Sequence, residues 1–554
     1  MNDGLIKHIL RLARRTIRSL YNPGLAWVDK IKPVSEIDND AGPRVLIATS
    51  VAGHLASLNL EGVIGKALQV RGANVSALLC DGVLPACMDC EYRIFSTDSS
   101  KINLIKNGPS MLCMTCTRVG DKFYKKLGID INHYSDFLTE AERENAKIIA
   151  QSTKFSEIRE YAIDGLQVGE HAYAGALRFF ARGEIEGEAF SQEIVRAYFE
   201  SALITTYVMR NLLTQEKFDV CVFNHGIYVP QGLIGEVCRE KGLRVVNWNP
   251  AYRKGCFIFS HHDTYHHTLM TEPVDKWADM SWDIKLENKL LDYLKSRWEG
   301  SQDWIWFHEN PEFNLDAIRQ KTGIDFQKTT IGMLTNVVWD AQLHYPANAF
   351  NGMIEWIIET IEYFKNRPDL QLVIRVHPAE IRGTVPSRQR VVEEINKHFP
   401  SLPPNIFIIN PEDNTSTYAL MMQCDSVIIY GTKTGVELTS IGIPVIVAGE
   451  AWIRNKAVTI DATSKDEYLK ILSCLPIGKR MENTQVERAR KYAFHFFFRR
   501  MIPLPFMKPR KGWPTFKPDI ISLDELRFGK YPGLDVICNG ILKGSEFIYK
   551  AEAE

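Results

Sequence analysis

Three apolar, β-branched runs in the C-terminal half set the strongest constraint on the fold. They are Gln371-Leu-Val-Ile-Arg-Val-His-Pro378, Asp425-Ser-Val-Ile-Ile-Tyr-Gly-Thr-Lys-Thr-Gly-Val-Glu437 and Gly442-Ile-Pro-Val-Ile-Val447. None alternates polar with apolar, and the first two break abruptly into small, cationic or hydroxyl residues. Such a run is buried on both faces, the condition of a strand inside a parallel sheet. Parallel strands need helical crossovers, so this part of the chain must be α/β. Open α/β sheets bind ligands at the carboxyl edge, where helix N-termini and unpaired backbone N–H groups attract anions. Arg375, His377, Thr432, Lys433 and Thr434 are therefore expected to converge on a phosphate-bearing group, with Glu437 one turn into the next helix.

The same pattern extends to Thr330-Ile-Gly-Met-Leu-Thr335 and Ile406-Phe-Ile-Ile409, and it has an N-terminal counterpart. Arg44-Val-Leu-Ile-Ala-Thr-Ser-Val-Ala-Gly-His-Leu55 reads as a strand, a glycine-containing loop and the start of a helix. Arg71 to Leu79 supplies the turn and a second strand, a βαβ opening. Sheet patterns return at Phe218 to Gly226 and Leu243 to Trp248, after a mainly helical stretch at 136–216. The expected fold is α/β with two facing Rossmann-like domains, a cysteine-rich metal-binding insertion and an N-terminal amphipathic helix. The boundaries are 1–35 for that helix, 36–325 for the first domain, 326–485 for the second, and 486–554 for a C-terminal helix and tail packing back on the first domain. The insertion covers 80–120.

At 554 residues the chain exceeds one ordinary domain. Its net charge of −1 argues against a nucleic-acid binder. No run reaches the roughly 18 to 20 apolar residues that span a bilayer, and no export signal opens the chain. Residues 5–21 nevertheless form an amphipathic pattern, with Leu5, Ile6, Ile9, Leu10, Ala13, Ile17 and Leu20 on one stripe and Lys7, Arg11, Arg14, Arg15 and Arg18 elsewhere. That helix suits an anionic membrane surface, or a docking face on the protein's own body. The expected location is cytoplasmic, peripheral at the inner face of the inner membrane.

Cys87-Met-Asp-Cys90 and Cys113-Met-Thr-Cys116 are two C-x2-C pairs separated by 22 residues, with Cys80 upstream. Four thiolates at this spacing close a tetrahedron around zinc. The segment between them looks too poor in apolar residues to fold without metal, so structural zinc on Cys87, Cys90, Cys113 and Cys116 is expected, with an iron–sulfur cluster as the alternative. The run Ser260-His-His-Asp-Thr-Tyr-His-His267 reads as a substrate-facing loop before a metal site.

Tyr430-Gly-Thr-Lys-Thr-Gly-Val-Glu437 with Gly442-Ile-Pro444, and Gly53-His54-Leu55 before a helix ending at Arg71-Gly72, resemble the two half-sites of GT-B glycosyltransferases. Arg375-Val-His-Pro378 is similar to the His-Pro motif of enzymes using CMP- or CDP-activated donors, and Phe496-Phe-Phe-Arg-Arg-Met-Ile-Pro503 to a stretch of the bacterial capsule polysaccharide biosynthesis proteins, including Kdo-transferase-like members. The resemblance implies a nucleotide-sugar donor, CMP-sugar favoured, a glycan or lipid-linked glycan acceptor, and catalysis without a metal. It gives Glu437 to the ribose hydroxyls. Charge growing on the leaving phosphate would be met by Arg375, His377 and Lys433. Ser416 caps a helix or touches the phosphate, and Lys456 reads as a solvated surface lysine. The acceptor hydroxyl needs a base: His54 leads, in a loop the resemblance sets in an interdomain cleft, then His225, then Asp81. CDP-polyol phosphate transfer, a UDP-sugar 2-epimerase-like isomerase and a catalytically silent zinc scaffold are the alternatives.

Overall fold

Strand β1 (Arg44–Ser50) is buried from its second residue onward. The helix Leu55–Val70 returns the chain so that β2 (Asn74–Leu79) pairs with β1 in parallel. β3 (Asp130–His133), β4 (Val220–Asn224), β5 (Arg244–Pro250) and β6 (Cys256–His261) follow. This is the computed structural model of the protein, and it describes residues 25–31, 41–300, 302–304, 310–341, 346–511 and 514–554. The expected helix at 5–21 lies outside the described residues.

The chain divides into two units. Unit 1 holds the described residues up to Phe180, then Ile185–Tyr265 and Arg500–Tyr549. Its sheet, among the described residues, has the order Ile502–Pro503, β6, β5, β4, β1, β2, β3. β4 and β2 flank β1 in parallel, and β6 is antiparallel to β5. The chain thus winds from β1 outward to β3, then crosses to the far side of β1 for β4. Ligand crevices form at such a reversal.

Unit 2 holds Ala181–Glu184, His266–Arg499 and Lys550–Glu554. Its strands are β7 (Thr330–Leu334), β8 (Gln371–Arg375), β9 (Ile406–Ile409), β10 (Ser426–Ile429), β11 (Val445–Val447) and β12 (Ile460–Asp461). They run β12, β11, β10, β7, β8, β9, all pairs parallel. This is the doubly wound order, with its reversal between β7 and β10. Each unit is thus a Rossmann-type layer structure, as the strand patterns require.

The segment 80–120 departs from the expectation that it lacks a core of its own. Leu84, Ala86, Ile94, Phe95 and Leu104 are buried in the main hydrophobic cluster of unit 1. The helix Ser110–Leu127 buries Val119, Phe123, Tyr124 and Leu127. Apolar burial of this kind, about 1.5–3 kcal/mol for each large side chain, ties the segment to the rest of unit 1. The sparse apolar residues share one cluster with the helices Val168–Phe180 and Ser191–Gln215. Among the described residues, no helix is long and apolar enough to cross a membrane.

Candidate functional site

In unit 2 the loops after β7, β8 and β10 leave the same sheet edge. Thr335 follows β7, and its Oγ1 accepts the backbone N–H of His377 at 3.0 Å. His377 follows β8, and its Nδ1 accepts the Ala379 N–H at 3.0 Å. A ring nitrogen that accepts carries no proton, so the neutral tautomer has its proton on Nε2. His377 is partly exposed, and that tautomer makes it a hydrogen-bond donor suited to an anion.

Gly431 and the residues after β10 complete the edge. Thr432 Oγ1 hydrogen-bonds Thr434 Oγ1 at 3.3 Å and accepts the Thr434 N–H at 3.4 Å. A side chain at Gly431 would touch Glu450 O and approach Asn336 Nδ2. Asn336 stands in the β7 loop, and its Oδ1 is buried with no hydrogen-bond partner. Thr335 and Asn336 were not singled out by the sequence, although they end a predicted strand at the reversal point.

Three expected donor residues are turned inward. Arg375 is 2% exposed, and its guanidinium donates to the carbonyls of Asn410 and Asp413 and to Thr417 Oγ1. Burial pulls it down to about 10. It clamps the loop after β9. Ser416 is buried, and its Oγ caps the helix Thr417–Met421 through the Ala419 N–H. Glu437 is 3% exposed: Oε1 faces Arg297 Nε at 3.2 Å and Lys433 Nζ at 3.3 Å, and Oε2 accepts from the Tyr418 hydroxyl. Burial alone would raise this carboxyl, yet Arg297 and Lys433 hold it below the usual carboxylate range. Burial, reinforced by Arg297, lowers Lys433.

Lys456 corrects its reading as a solvated lysine. It is fully buried, with Nζ donating to Met270 O at 3.2 Å and Glu272 O at 2.8 Å. Burial pulls it down to about 8. Those carbonyls come from residues remote in sequence, so nothing local marked it. Glu272 in turn pairs with the buried His495 at 3.0 Å.

In unit 1, His54, Asp81 and His225 follow β1, β2 and β4, three neighbouring strands, so all three sit at one sheet edge. His54 precedes the helix Leu55–Val70, with Nδ1 2.6 Å from Ser57 Oγ. Asp81 accepts the Ser135 N–H at 3.2 Å. His225 has a positive φ of 64° and stacks on Tyr228. Beneath β1 lies a buried carboxyl the sequence did not single out: Glu61 accepts from Thr49 Oγ1 at 2.6 Å and Trp248 Nε1 at 2.9 Å. Burial pushes it up to about 7 against those hydrogen bonds.

The cysteines meet at that same edge. Cys90 N donates to Cys87 O at 2.9 Å, a turn that sets both thiols on one side. Cys113 and Cys116 share a face of the helix Ser110–Leu127. Burial pushes Cys80 up to about 12, and it also raises Cys113 and Cys116. The expected zinc fails a direct test of fit: among the described residues, no three His, Cys, Asp or Glu side chains close on a position able to hold one ion. In the histidine run, His261 Nε2 lies 2.8 Å from Ser545 O and its ring stacks on Phe547.

Fold and edge chemistry define a protein of two Rossmann-type units with anion-suited loops at the reversal of the second sheet. At that second sheet, residues 319–476 match the model of the capsule polysaccharide biosynthesis proteins, the family the sequence resembles. No curated protein matches the chain. Among solved structures, it is similar to the KpsC beta Kdo 2,4 transferase of Thermosulfurimonas dismutans, at 12% identity over 50% of this chain and 79% of that one, TM-score 0.34. It is also similar to the Neisseria meningitidis UDP-GlcNAc 2-epimerase bound to UDP-GlcNAc, at 12% identity over 81% of this chain and 98% of that one, TM-score 0.26. At these TM-scores the likenesses carry no weight below.

Proposed function

We propose that the protein is a GT-B type glycosyltransferase that moves a sugar from a nucleotide-activated donor, a CMP-sugar first, to a growing surface polysaccharide or glycolipid. The observation that carries this reading is the edge after β7, β8 and β10, which carries both His377, its Nδ1 accepting the Ala379 N–H, and the Thr432–Thr434 loop, inside the capsule polysaccharide segment.

As the glycosidic bond breaks, its electrons pass to the phosphate, and fixed donors there stabilise the growing charge without reorganising. His377 and the Thr432 and Thr434 hydroxyls supply those donors. Lys433 adds a cation one residue from them, held by Glu437. Arg375 and Ser416 act through the backbone they fix, and Glu437 acts by placing Lys433 and Tyr418 before any ribose contact. On the acceptor, His54 removes the hydroxyl proton, with His225 and Asp81 as the neighbours able to replace it. The basic residues of the 5–21 segment would bring the enzyme to a membrane bearing a lipid-linked acceptor.

The test is acceptor-dependent release of nucleotide from CMP-, CDP-, UDP- and GDP-activated donors. The reading predicts turnover with a CMP-sugar and a loss of about 100-fold in kcat/KM for His377→Ala, the usual scale for one donor at a charge-developing centre. Release that ignores the acceptor, or a His377→Ala enzyme at full activity, would contradict it.

A further inference from the structure

The helix Ser110–Leu127 has two faces of opposite character. One buries Val119, Phe123, Tyr124 and Leu127 and seats on unit 1 through Gly120, against Ala52 and Leu79. The other carries Met114, Arg118, Lys122 and Lys125, all exposed and three or four residues apart, so they form one stripe. The stripe lines a cavity of about 740 Å³ whose facing wall is Asp81 and Gly82, in the loop after β2. A side chain at Gly82 would touch Cys113 Cβ at 3.4 Å, so loop and helix stand close. All of these residues belong to unit 1.

The three cations of the stripe are uncommitted. Asp121, three residues after Arg118 and four before Lys125, turns instead to His133, with Oδ1 2.9 Å from Nε2. Lys126, just outside the cavity, pairs with Asp29. Among the described residues, Arg118, Lys122 and Lys125 make no ion pair of their own. Like charges at this spacing repel one another, and an anion seated among them removes that repulsion. The rest of the wall suits a sugar. The Ser110 and Thr117 hydroxyls make no hydrogen bond among the described residues. Asp81 spends Oδ1 on the Ser135 N–H at 3.2 Å, which leaves Oδ2 to accept from a hydroxyl. Met114 offers an apolar surface to the C–H face of a ring. The volume lies in the usual range for a bound small ligand, whereas a membrane would ask for a projecting apolar surface.

From this we infer that the cavity binds a saccharide bearing an acidic group, a carboxylate or a phosphate. Arg118, Lys122 and Lys125 hold the acid, and Asp81, Ser110 and Thr117 hold hydroxyls. A guanidinium meets either acid with two parallel N–H donors, and the two lysines add point charges. Asp81 follows β2 at the sheet edge that also holds His54 and His225, so the ligand is the acceptor of the proposed transfer. That role rests on the transferase reading; the binding does not, and it is measured without a donor.

The full chain is titrated calorimetrically with trigalacturonate, its uncharged methyl ester, glucose 1-phosphate and inorganic phosphate, and is sedimented with phosphatidylglycerol vesicles. Trigalacturonate or glucose 1-phosphate should bind, which tells the carboxylate from the phosphate, and the methyl ester should bind at least about ten-fold more weakly than the acid the cavity takes. A triple variant, Arg118→Gln with Lys122→Gln and Lys125→Gln, should lose about ten-fold in affinity, the sum of three exposed charge contacts, while Lys126→Gln keeps the wild-type value. Should the triple variant misfold, the comparison of charged and uncharged saccharides on the wild-type chain decides. Equal affinity for acid and ester, wild-type affinity in the triple variant, or inorganic phosphate bound as tightly as either saccharide would overturn the inference. So would binding of neither saccharide, and vesicles bound in that case would make the stripe a membrane contact. A chain that binds the acid and transfers no sugar contradicts the transferase reading alone. One that transfers to neutral acceptors and binds neither acid contradicts this inference alone.

Discussion

Glu437 occupies the helix expected to meet a ribose, yet both its oxygens are engaged inside unit 2 by Arg297, Lys433 and Tyr418. Arg297 is itself 5% exposed and keeps Asp303 as its other carboxylate, so removing Glu437 takes away half of its buried counter-charge and the carboxylate that Lys433 faces. Glu437→Ala is expected to cost about 3–5 kcal/mol of stability, and Glu437→Gln less, in urea denaturation. An alanine variant of wild-type stability with lost nucleotide binding would restore the ribose role instead. Glu61 makes a second prediction, in pH. Its folded-state value of about 7 lies above the carboxyl value of 4.5, so between these the folded state keeps a proton the unfolded chain has lost. Its contribution is fully present below pH 4.5 and falls as pH rises to 7, by about 3 kcal/mol. Glu61→Gln should flatten that part of the stability profile between pH 5 and pH 8. An unchanged profile would show that Glu61 is ionised throughout.

At the scale of elements, strands were legible and side-chain partners were not. The unalternating runs at Gln371–Arg375, Ser426–Ile429 and Val445–Val447 are all buried parallel strands. Local patterning suffices for that, because burial on two faces is written into consecutive residues. The loops after them were therefore placed at the right edge, and His377, Thr432 and Thr434 lie there. Lys456 was misjudged, and the inward partners of Arg375 and Ser416 went unread, because those partners are largely backbone carbonyls or amides, which every sequence offers and none advertises. Arg297, far upstream, left no signal that it would meet Glu437. The cysteine segment failed for another reason: its few apolar residues pack on distant helices, and local composition cannot register this. Gly120 tests that packing. A methyl there would stand 2.7 Å from Ala52 Cβ and 2.9 Å from Leu79 Cδ1, neighbours with little room to move. Gly120→Ala should cost about 1–3 kcal/mol and lower Tm, while a variant as stable as wild type would mean the helix Ser110–Leu127 is less closely seated.

Across the whole molecule, two sheets with the same winding each present a reversal edge, and each edge carries different chemistry. The edge in unit 2 offers donors to an anion, and the one in unit 1 offers a histidine pair, an aspartate and gathered thiols. The capsule polysaccharide match falls on the unit 2 sheet. The central claim is that the unit 2 edge binds a nucleotide through His377. Isothermal titration of the wild-type chain and of His377→Ala with CMP, CDP, UDP and GDP tests it most directly. The account predicts that CMP binds wild type most tightly and His377→Ala at least about ten-fold more weakly, a loss of about 1.4 kcal/mol. Equal CMP affinity in the two proteins, or no nucleotide bound by either, would contradict it.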